Sequence, residues 1–309
     1  MTPAVEEYAV SGPDAGPYGI TTGPDGALWF TLVHSGGIGR LLPGRQPAIH
    51  QLDPGTGPTV ITPGPDGALW FTEYRAHRIG RITTAGEVTA FALPTAACGP
   101  FGIAAGPDGA MWFTETATDR IGRLALDGTV TEYALPRDGA FPSAIAAGQD
   151  AMWFTMNQAN AIGRIDMDGR ITLHDLPTDA AAPVGIAVGP GGDVWFTEIA
   201  AGQIGRISPD GRITEHPLPD RSARPHAVTT DAHGTAWFTE WGANRIGSLA
   251  VDGAVAVHDL PTPASEPHGI TVGPDGALWA ALEIGALARL APADTSTSTS
   301  NNSDRRNEP

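Results

Sequence analysis

The 309-residue chain contains no lysine, a single cysteine (Cys98) and no uninterrupted apolar run of the roughly 18 residues that a membrane span needs. Each absence excludes something. All 18 basic residues are arginine, set against 34 acidic ones, for a formal net charge of −16. Nucleic acid and anionic membranes are bound through Lys/Arg patches, so neither is expected as a partner. One cysteine cannot build an internal disulfide framework and fits a reducing compartment. The opening MTPAVEEYAV has no basic stretch followed by an apolar one, so no secretory signal is expected. These features together lead us to expect a cytoplasmic protein; a monomer is expected as well, though composition does not derive it.

What the chain does have is a period. Glycine (40) and proline (28) are abundant, and seven of the eight tryptophans (Trp29, Trp70, Trp112, Trp153, Trp195, Trp237 and Trp279) recur every 41 or 42 residues. Around them runs a shared unit, P-x-G-I-x-x-G-P-D-G-A-L-W-F-T-E, then N-R-I-G-R-I, then D-G-x-I-T-E-Y-x-L-P. Each unit holds four short apolar or β-branched runs. Asp-Gly pairs such as Asp108-Gly109 and Asp127-Gly128 separate them and supply the positive φ of tight hairpin turns. Four-stranded antiparallel units repeated seven times predict an all-β, seven-bladed β-propeller over residues 1–291. An open solenoid is the rival. The chain begins with VEEYAV, which resembles the fourth run of a unit, and its last unit stops after the third run, ALARL at 286–290. The N-terminal strand is therefore expected to complete the last blade, which closes the ring and removes free sheet edges. Residues 292–309 are polar and aperiodic and read as a disordered tail.

Because the copies align with one another, side chains shared by most of them belong to the scaffold. The Arg of I-G-R and the Glu after W-F-T recur too often to be catalytic. Other positions carry exceptions. The residue before the first strand's Gly/Ala is, in order, Tyr18, Thr59, Phe101, Ser143, Val184, His226 and His268. Two positions earlier stand Gly16, Gly57, Gly99, Phe141, Ala182, Arg224 and Glu266. Four after each core Trp stand Val33, Tyr74, Thr116, Asn157, Ile199, Trp241 and Glu283. Equivalent positions form a ring near one mouth of the central channel, so His226, His268, Tyr18, Glu266 and Glu283 fall in one sector spanning the sixth, seventh and first blades. Two carboxylates suit a hard cation such as Mg²⁺, and a near-neutral imidazole suits proton abstraction. The compact His/Cys spacing of zinc sites and a G-x-S-x-G nucleophile elbow are both missing. The remaining histidines (His34, His50, His77, His174, His216, His233 and His258) are expected at the surface or in turns. In the seventh copy W-F-T becomes Trp279-Ala280-Ala281, which either makes room beside Glu283 or reflects drift.

R-P-H-A-V-T-T (224–230), F-T-E-W-G-A-N-R-I-G (238–247), S-E-P-H-G-I-T (265–271) and G-P-Y-G-I-T (16–21) resemble the streptogramin B lyases, also called virginiamycin B lyases, from about Val5 to Leu290. The resemblance implies an Mg²⁺-dependent carbon–oxygen lyase. Such an enzyme linearises cyclic type B streptogramin depsipeptides by elimination at the ester and so confers resistance. It further implies that Glu266 and Glu283 hold Mg²⁺, that His268 is the base, that Tyr18 assists, and that His226 contacts the substrate. Phe101, Val184 and Trp241 would line the mouth, with Trp241 binding substrate. Two alternatives stay open: a metal-dependent propeller lactonase or hydrolase, and a propeller that only binds.

Overall fold

The computed structural model describes residues 4–291, so the tail expected over 292–309 lies outside the described residues. Within them, 28 strands form seven four-stranded antiparallel sheets. In the third blade these are β10 (Pro100–Ala105), β11 (Met111–Glu115), β12 (Arg120–Leu124) and β13 (Val130–Ala134). The last blade consists of β26 (Pro267–Val272), β27 (Leu278–Leu282), β28 (Ala286–Leu290) and the N-terminal β1 (Val5–Ala9), with Tyr8 opposite Leu287. The ring is closed, and the solenoid is excluded.

Each repeat residue has a physical task. In the third blade Asp108 accepts hydrogen bonds through Oδ1 from the Trp112 indole (3.0 Å) and through Oδ2 from Arg123 Nε (2.6 Å). Burial raises the Asp108 pKa, but these charge-assisted bonds outweigh it and hold the carboxyl below the usual range. The Asp of the turn thus fastens the turn to the core Trp and to the Arg of I-G-R. Phe113, fully buried, lies against Gly122, where an added Cβ would sit 2.1 Å from the ring. Burying such a ring stabilises the blade by about 1.5–3 kcal/mol. The seventh blade replaces both partners at once: Ala280 stands opposite Ala288, where other blades set Phe opposite Gly. Ala280 is therefore a compensated core exchange, and it accounts for the altered motif without reference to Glu283.

The Thr of W-F-T ties neighbouring blades together. Thr114 Oγ1 accepts from Gly102 N (2.9 Å) and donates to Ser143 O of the next blade (2.6 Å). Thr31, Thr72, Thr155, Thr197 and Thr239 make the same latch to Thr59, Phe101, Val184, His226 and His268. Residue 281 is Ala, so the seam from the seventh blade to the first lacks the latch.

The histidines correct an expectation. His50, His174, His216 and His258 sit on the fourth strands and pack against Trp29, Trp153, Trp195 and Trp237, as Phe91, Tyr133 and Tyr8 do against the other three. They are one repeated aromatic position, not scattered surface residues. Burial lowers the pKa of all four. The recurrent glutamates are buried scaffold as expected: Glu73 pairs with Arg78, Glu240 with Arg245, and Glu198 with Gln203.

Candidate active site

The first strands line the channel, and the second residue of each points to one mouth. Tyr18 on β2 (Pro17–Thr22), His226 on β22 (Pro225–Thr230) and His268 on β26 occupy this position in adjacent blades. Their rings cluster: Tyr18 to His268 is 4.4 Å between centroids, His226 to His268 is 5.1 Å, and Tyr18 to His226 is 5.9 Å. The Tyr18 hydroxyl lies 3.5 Å from His226 Nε2, at the outer limit of a hydrogen bond.

Glu266 and Glu283 enter from the two segments that flank this cluster. The Glu266 position has positive φ in every blade: +66° at Gly16, +60° at Gly57, +59° at Gly99, then 51° at Phe141, 54° at Ala182, 52° at Arg224 and 49° at Glu266. Glycine suits that conformation, and a side chain there is strained. Glu266 is exposed, and its carboxylate lies close to that of Glu283, whose backbone N–H donates to Ser265 O (2.9 Å). One oxygen or nitrogen from each of Glu266, His268 and Glu283 falls within a 4.8 Å cluster. Two carboxylates with room for water match a hard divalent cation, and no thiolate is near. These residues fit the expected metal.

The electrostatics sort the roles. Glu283 Oε2 accepts from His268 Nε2 at 2.6 Å, and Oε1 lies 2.7 Å from Nε2 of His34. Burial raises the Glu283 pKa, but the bonds from His268 and His34 outweigh it and keep the group a carboxylate. Burial lowers the His268 pKa against the opposing pull of Glu283 and Glu266, so its imidazole is neutral at pH 7. Burial, with His268 alongside, pushes His226 down to about 3. Burial raises the pKa of Tyr18, which therefore remains a phenol. Nδ1 of His226, Nδ1 of His268 and Nε1 of Trp241 are buried polar atoms without a protein partner.

The structure thus brings Tyr18, His226, Glu266, His268 and Glu283 into one place. Phe101, Val184, Tyr18 and His226 line the adjoining channel and mouth cavities. Trp241 does not line either one; it lies under the Arg224 guanidinium, 5.1 Å from ring centroid to Cζ. His34 is the residue that sequence reasoning missed. It sits five positions after Trp29, where no other copy has a titratable group except Arg75.

Comparison with known proteins agrees with this geometry. A profile of the virginiamycin B lyase family matches residues 3–290. A virginiamycin B lyase of Saccharopolyspora erythraea is 64% identical over 94 residues, which is 30% of this chain and 31% of that protein. The matched stretch therefore spans under a third of that relative. Solved structures extend the likeness to the whole ring. Staphylococcus aureus virginiamycin B lyase superposes with a TM-score of 0.90 at 41% identity, covering 94% of this chain and 99% of that one. A catalytically inactive His-to-Ala variant of the S. aureus enzyme, solved with quinupristin, gives the same TM-score, identity and coverage.

Proposed function

We propose that this chain, which belongs to the virginiamycin B lyase family, linearises cyclic type B streptogramins by Mg²⁺-dependent elimination at the ester linkage, and so confers resistance to them. The observation that carries the reading is the cluster of Glu266, His268 and Glu283 within 4.8 Å beside the channel mouth.

The neutral His268 imidazole takes the Cα proton of the esterified threonine. The C–H electron pair becomes a Cα–Cβ double bond, the Cβ–O bond breaks, and the ester oxygen departs as a carboxylate. No water is consumed, and the ring opens with a dehydrobutyrine end. Glu283, 2.6 Å from His268 Nε2, holds the ring orientation and stabilises the imidazolium that forms. Tyr18, kept as a phenol, donates a hydrogen bond rather than competing for the proton. His226, neutral and flanking both rings, sets a wall and a hydrogen-bonding edge for the substrate. Glu266 and Glu283 would hold Mg²⁺, which would supply electrostatic stabilisation for the negative charge developing on the substrate.

The enzyme is taken to act as a cytoplasmic monomer. The test of function is turnover of a type B streptogramin with Mg²⁺ and with chelator, followed by NMR of the product. An olefinic dehydrobutyrine signal that chelator abolishes supports the reading; no conversion in either condition refutes it.

A further inference from the structure

We propose that His34 is a positioning residue of this site: it holds the Glu283 carboxylate across the seam between the last and first blades and thereby sets the affinity for the divalent cation. The inference rests on the reading of Glu266 and Glu283 as cation ligands.

Three observations carry it. First, the Glu283 oxygens are bracketed, Oε1 by His34 Nε2 at 2.7 Å and Oε2 by His268 Nε2 at 2.6 Å. Among the described residues His34 is the hydrogen-bond partner of Oε1, so its removal loosens the carboxylate about its terminal torsion. Second, His34 is itself placed. Its backbone N–H donates to Ala15 O (3.1 Å), and its ring covers Gly16, where an added Cβ would lie 2.4 Å from the imidazole. Phe, Ala, Arg and Glu occupy the equivalent position in the fourth to seventh blades; in the first blade only glycine leaves room for the ring.

Third, this seam lacks the Thr latch found at the other six; Thr22 Oγ1 donates to Val272 O (2.8 Å) across it, at the far end of the paired first strands. Ala281 cannot make the Thr latch, so no side-chain hydroxyl links Gly269 N to Tyr18 O as Thr239 Oγ1 links Ala227 N to His268 O. The His34–Glu283 pair spans the gap at the level of the site. His34 has a side chain 44% exposed, so its removal opens no core cavity. Partners that orient a metal's ligands typically contribute 10–100-fold to its affinity.

The experiment is a Mn²⁺ titration of the full chain, read by the EPR signal of free Mn²⁺. The proteins compared are the unmutated chain, His34→Ala, His34→Gln and Glu283→Gln, with thermal melting of each. The activation constant for Mg²⁺ and kcat at saturating Mg²⁺ complete the set. The inference predicts that His34→Ala weakens Mn²⁺ binding about 10–100-fold with little change in melting. It also predicts that His34→Gln, which retains an N–H donor, recovers most of the affinity, and that kcat at saturating Mg²⁺ in His34→Ala falls by a smaller factor than the affinity. Binding within twofold of the unmutated chain in His34→Ala, with a loss in Glu283→Gln, overturns the inference and spares the cation site. Unchanged binding in Glu283→Gln, or no saturable binding in the unmutated chain, overturns the cation site and the inference with it.

Discussion

His268 on β26 and Glu283 in the turn that follows β27, fifteen positions apart in the seventh blade, meet at 2.6 Å through Nε2 and Oε2. The pair does two things at once. It keeps a neutral imidazole oriented at the channel mouth, and it places a carboxylate between that base and the Glu266 carboxylate. A base and a cation ligand that share one hydrogen bond must be disturbed together.

Replacing His268 by Ala is therefore expected to reduce kcat by about 10²–10⁴-fold, the usual contribution of a positioned base. The residue is only 8% exposed, so circular dichroism and melting should accompany the assay to show an intact ring. Turnover near that of the unmutated chain removes His268 as the base.

Glu266→Gln and Glu283→Gln are isosteric and remove one ligand charge each. Each is expected to raise the Mg²⁺ concentration needed for half-maximal activity at least tenfold. Glu266 is the cleaner probe, because it has none of the histidine bonds of Glu283 and its replacement leaves the His268 pair in place. A Mg²⁺ dependence unchanged in both variants argues against either as a ligand.

The pH dependence of stability follows from the buried scaffold glutamates. Burial pushes Glu115 and Glu198 up to about 7, whereas a carboxyl in the unfolded chain titrates near pH 4.3, on the order of model peptides. Between those values the folded chain keeps protons that the unfolded chain releases. Stability therefore falls as pH rises from about 4.3 to about 7, with the full penalty present above that window. Glu115→Gln or Glu198→Gln should shrink the difference in melting temperature between pH 5 and pH 8, by an amount equivalent to roughly 2 kcal/mol or less per site. An undiminished difference in both variants contradicts the assignment.

The Thr latch makes a prediction about the ring itself. Thr114→Ala strands Gly102 N and Ser143 O in a buried seam. The expected loss is about 1–3 kcal/mol, measured by chemical denaturation. A loss under half of the lower figure shows that the latch is not a main tie between blades.

The architecture was legible because the signal is redundant: seven Trp-centred copies and complementary chain ends leave one closed ring. The sector was legible for the same reason, since Glu266, His268 and Glu283 stand out against equivalent residues of other types. What escaped reading depended on contacts between distant parts of the chain. His34 reaches Glu283 across 249 positions, and nothing in the first copy marks it. The stacked His50, His174, His216 and His258 were hidden because imidazole, phenol and phenyl rings alternate at one position, and their shared task shows only against the Trp. Ala280 was open between room beside Glu283 and drift, and its register partner, Ala288, makes it a matched exchange within the sheet. The strain at Glu266 had a readable sign, the three glycines at the same position of the first three copies, but the sign of φ there came only from the backbone.

Elimination and hydrolysis differ by one water, so the most direct test is the mass of the product formed from a type B streptogramin in ¹⁸O-enriched water with Mg²⁺. The account predicts a linear product of unchanged mass that carries no ¹⁸O. A product heavier by one molecule of labelled water contradicts it and assigns the site to hydrolysis.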